Sequence, residues 1–188
     1  MLEQRRKRLI ELLRDPDPEI RIAAAESLES VESLSTLEQI IAILDKGDRS
    51  EKIKAIYALE RVQSDQIFAP LLKLLQQSDA DLRSAAIQIL GIKKNQQTLG
   101  TLVKHLKDPH PAVRVHAATA VGNFSDKRLI PYLATLVSSQ DDSLAAASIL
   151  SLGQIGAVEA EEFILAAMND TRPSVRLAAT KAISFLSI

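Results

Sequence analysis

The chain has 188 residues, of which 46% are hydrophobic but only 3% aromatic, with no Trp. Its apolar bulk is therefore Ala, Leu, Ile and Val, which suits closely approaching helices better than a large globular core. A formal net charge of −1 gives no general attraction for nucleic acid or an anionic membrane, and the lack of Cys excludes disulfides and Cys-ligated zinc.

Along the chain the sequence repeats every 31 residues without insertion, giving six units that each read as two helices, A and B. The first unit opens on RRKR at residues 5–8. The slot of Arg6 holds Leu37, Phe68, Leu99 and Ile130 in the next four units, so a polar residue there marks an outermost helix without a neighbour. Helix A reaches Leu13. Asp17 and Pro18 then supply the N-cap and first position of helix B, which carries Arg21, Ala24 and Leu28. The second unit repeats this frame as Leu44, Asp48, Lys52, Ala55 and Leu59.

In the third unit the frame is Leu75, Asp79, Arg83, Ala86 and Leu90, with helix A apolar at Leu71, Leu72, Leu74 and Leu75 and helix B predicted over 81–92. The fourth has Leu106, then His110 as the cap before Pro111, then Arg114, Ala117 and Val121. The fifth has Val137, Asp141, Ala145, Ser148 and Leu152; here Ala145 interrupts the basic series beside Asp141 and Asp142, predicting a local negative spot. The sixth has Met168, Arg176, Ala179 and Ile183. Gly91, Gly122 and Gly153 fall late in helix B, where glycine ends a helix or lets a neighbour pack close. Units of this size cannot bury their apolar faces alone and must stack. The expected fold is all-α, an α-solenoid of six two-helix repeats forming one domain over residues 1–188.

The segments LRDPDPEIRIAAAESL (13–28), LKDPHPAVRVHAATAVG (106–122) and MNDTRPSVRLAATKAI (168–183) share one pattern: an Asp-led turn, a branched residue before Arg, and an Ala-rich helix. In this the chain resembles the HEAT-like repeats of the phycobilisome-lyase type, over its whole length. The resemblance implies a right-handed α-α superhelix, B helices lining a concave side, and an Asp/Arg ladder between repeats. It is specific for fold, since such repeats serve as lyase subunits, scaffolds and regulators alike.

The basic series Arg21, Lys52, Arg83, Arg114 and Arg176 is assigned to that structural ladder. Each residue falls in the first turn of helix B, where the helix dipole disfavours a cation, so a carboxylate partner is expected. Asp15, Asp108 and Asp170 lie six residues before Arg21, Arg114 and Arg176, and Asp79 lies four before Arg83.

Partner binding is expected elsewhere, at B-helix slots whose residues change from unit to unit. These are Lys54, Tyr57 and Arg61, then Gln88 and Ile92, then His116, Thr119 and Asn123, continuing as Leu150, Gln154, Lys181 and Phe185. Tyr57 and Arg61, four residues apart on one helical face, are the expected anchors. Helices spaced 8–10 Å apart would give a groove on the order of 50 Å long, suited to another protein or an extended peptide.

No catalytic set, metal site or cofactor is expected. His105, His110 and His116 lie on helix A, in a turn and on helix B with no shared spacing, and the chain has neither the His-Glu dipeptides of HEAT-like iron enzymes nor a glycine-rich nucleotide loop. The expected function is a non-catalytic scaffold or adaptor. The alternative, which the resemblance allows, is a subunit or chaperone-like component of a bilin lyase or similar modification complex. Nucleic-acid binding would rest on residues 5–8 alone. No apolar run reaches the roughly 18 residues of a membrane span and no apolar stretch follows the N-terminal charges as in a signal peptide, so a cytoplasmic location is expected.

Overall fold

The computed structural model describes residues 1–186, all-α with no strand among them. The chain divides into two compact units, Met1–Ala58 and Leu59–Ile188.

The first unit contains α1 (Leu2–Leu12), α2 (Pro18–Lys46) and α3 (Arg49–Ala58). The Asp17 carboxylate starts α2 by accepting the Glu19 N–H at 2.8 Å, with Pro18 at the first position. The repeat predicts a break between helix B of the first repeat and helix A of the second, but α2 runs through both for 29 residues. Glu32 stands in the slot where Lys94, Ser125 and Gly156 later take the left-handed backbone of the turn, and here it continues the helix, which Glu propagates readily. The chain turns at Gly47, after which Asp48 and Glu51 exchange hydrogen bonds, each carboxylate accepting the other's N–H at 2.8 Å. Ala24, Leu37, Leu44, Ala55 and Ile56 are buried.

The second unit contains α4 (Phe68–Leu74), α5 (Ala80–Lys93), α6 (Gln96–Lys104), α7 (Pro111–Gly122), α8 (Ile130–Val137), α9 (Asp142–Ile155), α10 (Glu161–Ala167) and α11 (Pro173–Ala182). The B helices α5, α7, α9 and α11 pack each on the next, and α4, α6, α8 and α10 each pack on the B helix that follows them. The result is a two-layer α-solenoid. Leu59, Leu90, Val121 and Leu152, one repeat apart, are fully buried.

The turns keep the same register. Lys94, Ser125 and Gly156 all take a left-handed backbone, and only Gly156 does so without the Cβ penalty. Asn95 and Asp126 follow and cap the next segment, accepting the N–H groups of Gln97 at 2.9 Å and Arg128 at 3.0 Å.

The late glycines serve helix contact. A methyl on Gly91 would stand 2.6 Å from Ala120 Cβ, one on Gly122 2.5 Å from Ser151 Cβ, and one on Gly153 2.6 Å from the Ala182 carbonyl oxygen. Each glycine thus lets the next B helix approach backbone to backbone. Among the described residues no helix is long and apolar enough to cross a membrane.

Candidate functional site

The ladder arginines share one geometry. Nη1 donates to the two carbonyls five and six residues back: Arg21 to Asp15 and Pro16 (2.8 and 2.9 Å), and Arg83 to Gln77 and Ser78 (2.8 Å each). Arg114 reaches Asp108 and Pro109 (2.9 and 3.2 Å), and Arg176 reaches Asp170 and Thr171 (2.8 and 2.9 Å). Lys52 holds the slot in α3, half-buried. This corrects the expected pairing: Arg21, Arg114 and Arg176 meet the backbone carbonyl of the Asp six residues back. Asp108 sends its carboxylate to the preceding repeat, where it grips Arg83 through Nε (3.0 Å) and Nη2 (2.9 Å). Arg83 donates to both carboxylate oxygens and to both turn carbonyls, so it ties its own turn to the next repeat.

Asp108 also corrects the cap expected at His110. His110 makes no side-chain cap bond; Asp108 accepts its N–H at 2.9 Å instead. Asp15 and Asp170 do the same for the N–H groups of Asp17 and Arg172.

The gap at Ala145 is filled from an unexpected place. Ala145 is fully buried, and the carbonyl six residues before it, on Ser139, accepts Nη1 of Arg172 from the following repeat at 2.5 Å. Arg172 Nη2 also reaches the Val137 carbonyl (3.1 Å), while Nε and Nη2 bind Asp170 (2.9 and 2.8 Å). The Arg172 guanidinium and N–H hold the Asp170 carboxyl well below the usual carboxylate range. The negative spot expected at Asp141 and Asp142 is therefore absent. Asp141 caps α9 through the Leu144 N–H and lies 3.7 Å from Arg114, and Asp142 lies 3.6 Å from Arg172. Sequence reasoning passed over Arg172. The signal was a basic residue in the cap slot held by Asp17, Asp48, Asp79 and Asp141, one repeat after the missing arginine. Arg172→Ala should lower the midpoint of thermal unfolding by a few degrees, and by more than Arg176→Ala, whose partners are two carbonyls. Equal midpoints for the two variants in a circular-dichroism melt would remove Arg172 from the ladder.

The variable B-helix residues are placed as follows. In the second unit Gln88 and Ile92 lie on α5, His116 and Thr119 on α7, and Asn123 directly after it. Ile92 is 48% exposed, Thr119 is exposed, and Gln88, His116 and Asn123 are half-buried. Asn123 donates to the Gly91 carbonyl at 3.4 Å, so part of its capacity goes to joining repeats. Burial pushes the His116 imidazole below its usual value, which leaves it neutral at neutral pH. Arg61 is exposed in a 3₁₀ turn, Leu59–Arg61. In the first unit α3 carries exposed Lys54 and Tyr57, and Lys54 borders a recess of about 280 Å³ with Ile40, Ile43, Ala55 and Ala58. The α-helix ends at Ala58, so the regular helical face expected to carry both Tyr57 and Arg61 is interrupted. A cavity of about 410 Å³ in the second unit involves Ser64, Phe68, Lys93 and Asn95. There the Lys93 ammonium is committed to the carbonyls of Glu60 and Val62 at 2.6 and 2.7 Å.

The family model for HEAT repeats matches residues 3–60, 37–110 and 68–153. The chain belongs to the HEAT-repeat family. Among solved structures, this HEAT-repeat chain is 25% identical to the complex of CpcE and CpcF of phycocyanin lyase from Nostoc sp. PCC7120, with a TM-score of 0.69 over 80% of its length. The match spans 65% of that chain. A designed armadillo repeat protein in complex with the peptide (KR)4 is 16% identical (TM-score 0.60), with 96% of this chain and 98% of that one covered. YibA of Escherichia coli is 19% identical (TM-score 0.60), with 97% and 72% covered. These last two share the helical-repeat fold. No curated protein matches the chain.

Proposed function

We propose that this HEAT-repeat chain is a non-catalytic scaffold or adaptor that binds another protein or an extended peptide through its B helices. The contact residues are Lys54, Tyr57, Arg61, Gln88, Ile92, His116, Thr119 and Asn123. The observation that carries the reading is Ile92. It leaves 48% of a large apolar side chain in solvent, in a slot that is polar in four of the other five units, as Ser30, Arg61, Asn123 and Gln154, and holds Phe185 in the sixth. The repeat does not need an apolar residue there, whereas an interface core does.

A second reading is a component of a bilin lyase or similar modification complex in the cytoplasm. It is favoured by the 25% identity to the phycocyanin lyase complex. It assigns the same surface a partner chain of that complex.

Photo-crosslinking tests both. A photoreactive amino acid at Ile92 or Thr119, in the source cells, should give a discrete protein adduct that the same group at Gln97, exposed on α6, does not. Adducts of equal yield at all three positions would overturn the B-helix surface. A bilin-lyase chain within the specific adduct would select the second reading.

A further inference from the structure

We propose that the cavity beside Lys93 binds a small monocarboxylate with an apolar tail. The repeat singles out this lysine. Its slot holds Val31, Val62, Phe124, Ile155 and Leu186 in the other five repeats, and Val31, Phe124 and Ile155 are buried. At the end of α5 the slot carries a half-buried cation instead. The Lys93 ammonium donates to the Glu60 and Val62 carbonyls at 2.6 and 2.7 Å. These bonds tie α5 to the preceding repeat, as Asn123 ties the next repeat to the Gly91 carbonyl. They use two of the three ammonium hydrogens, and the third has no part in that tie.

The cavity, about 410 Å³ in volume, lies within the second compact unit, where the second repeat meets the third. Three donor groups line it. Besides Lys93 there is Asn95, whose Oδ1 accepts the Gln97 N–H at 2.9 Å, which leaves both amide hydrogens without an acceptor among the described residues. There is also Ser64, whose Oγ accepts the Gln66 N–H at 3.3 Å and keeps its own hydrogen to donate. Donors of this kind around one space select an anion, and a carboxylate offers them two oxygens. Val62, Ile67 and Phe68 form the apolar part of the wall, so the rest of the ligand is apolar. Asp65 borders the same cavity. Its repulsion grows with the charge of the ligand, which favours a monocarboxylate over a phosphate dianion. The next repeat has lost both main donors. Lys93 is replaced there by Phe124, 7% exposed, and Asn95 by Asp126, whose carboxylate accepts the Arg128 N–H and its guanidinium.

That contrast supplies the variants, since the fold already accepts Phe and Asp in these two slots. The full chain, labelled with nitrogen-15 and carbon-13, is titrated with benzoate, with neutral benzamide and with inorganic phosphate. Nuclear magnetic resonance follows the Asn95 side-chain amide and the Lys93 Cε protons. Benzoate should shift both signals along a saturable curve and bind at least about tenfold more tightly than benzamide or phosphate, a gap of about 1.4 kcal/mol. Asn95→Asp keeps the cap oxygen, removes the amide hydrogens and adds a negative charge, so it should abolish the preference for benzoate. Lys93→Phe should abolish it too. Asp65→Asn removes the opposing charge; it should tighten benzoate binding and narrow the gap to phosphate. Circular dichroism checks each variant for helicity, and if Lys93→Phe does not fold, Asn95→Asp decides. Equal affinity for benzoate and benzamide, tighter binding of phosphate, or no saturable shift at either residue would overturn the proposal. So would benzoate affinity that Asn95→Asp leaves unchanged, and Lys93 would then be a tie between repeats alone.

Discussion

Arg83→Ala should lower the unfolding free energy by about 3 kcal/mol at neutral pH, the usual cost of breaking one side of a buried pair. The side chains of Arg83 and Asp108 are only 9% and 5% exposed, and the change leaves the Asp108 carboxylate with the His110 N–H alone and takes the Arg83 donor from two turn carbonyls. Burial alone would raise the Asp108 pKa. The Arg83 guanidinium and the His110 N–H outweigh it, and the net value lies below the usual one. A carboxyl whose folded pKa is depressed adds stability above its unfolded pKa of ~3.9, and that stability is lost as pH falls through the lower folded value. The gap between wild type and Arg83→Ala should therefore be largest near neutrality and shrink in acid. Urea denaturation at pH ~7 and pH ~2.5 measures both. Arg83→Met combined with Asp108→Asn should cost less than the sum of the single changes. A gap that does not change with pH, together with additive single changes, would mean that Arg83 acts through the carbonyls alone.

The period of 31 residues carried most of the fold, because a core slot tolerates few residue types. Leu59, Leu90, Val121 and Leu152 could be aligned before their burial was known. The fused helix α2 was harder to read, since Glu32 stands where later repeats turn through a left-handed residue yet itself stays helical. The ladder was legible as a set of arginines but not as a set of pairs. Asp108 is close to Arg114 in sequence, yet the turn directs its carboxylate to Arg83, 25 residues earlier. Arg172 shows the same limit, since its role depends on a carbonyl 33 residues away. Of the variable B-helix slots, Tyr57, Ile92 and Thr119 are exposed, whereas Gln88, His116 and Asn123 are half-buried against neighbouring residues that the period alone does not reveal.

The same substitution, glycine to alanine, should act with opposite sign at two helical positions. Gly100→Ala should raise stability by about 0.5–1 kcal/mol, since a Cβ there meets nothing within 4 Å and alanine is the better helix former. Gly122→Ala gains the same helical preference but places its Cβ 2.5 Å from Ser151 Cβ and 2.8 Å from Ser151 Cα. A flexible tip could swing aside; a Cα cannot, so α7 and α9 must move apart. Separation also strains the bond from Ser151 Oγ to the Ala118 carbonyl, now 3.0 Å and buried. Overpacking costs about 1–3 kcal/mol, and the lost hydrogen bond adds to it, so a net destabilisation of about 2 kcal/mol is expected. Denaturant unfolding of the two variants reads the signs directly. Gly122→Ala/Ser151→Gly, which moves the missing Cβ to the other helix, should recover part of the loss, but not the hydrogen bond. If Gly122→Ala proved as stable as wild type, the close approach of successive B helices would not depend on this glycine, and its recurrence at Gly91 and Gly153 would need another cause.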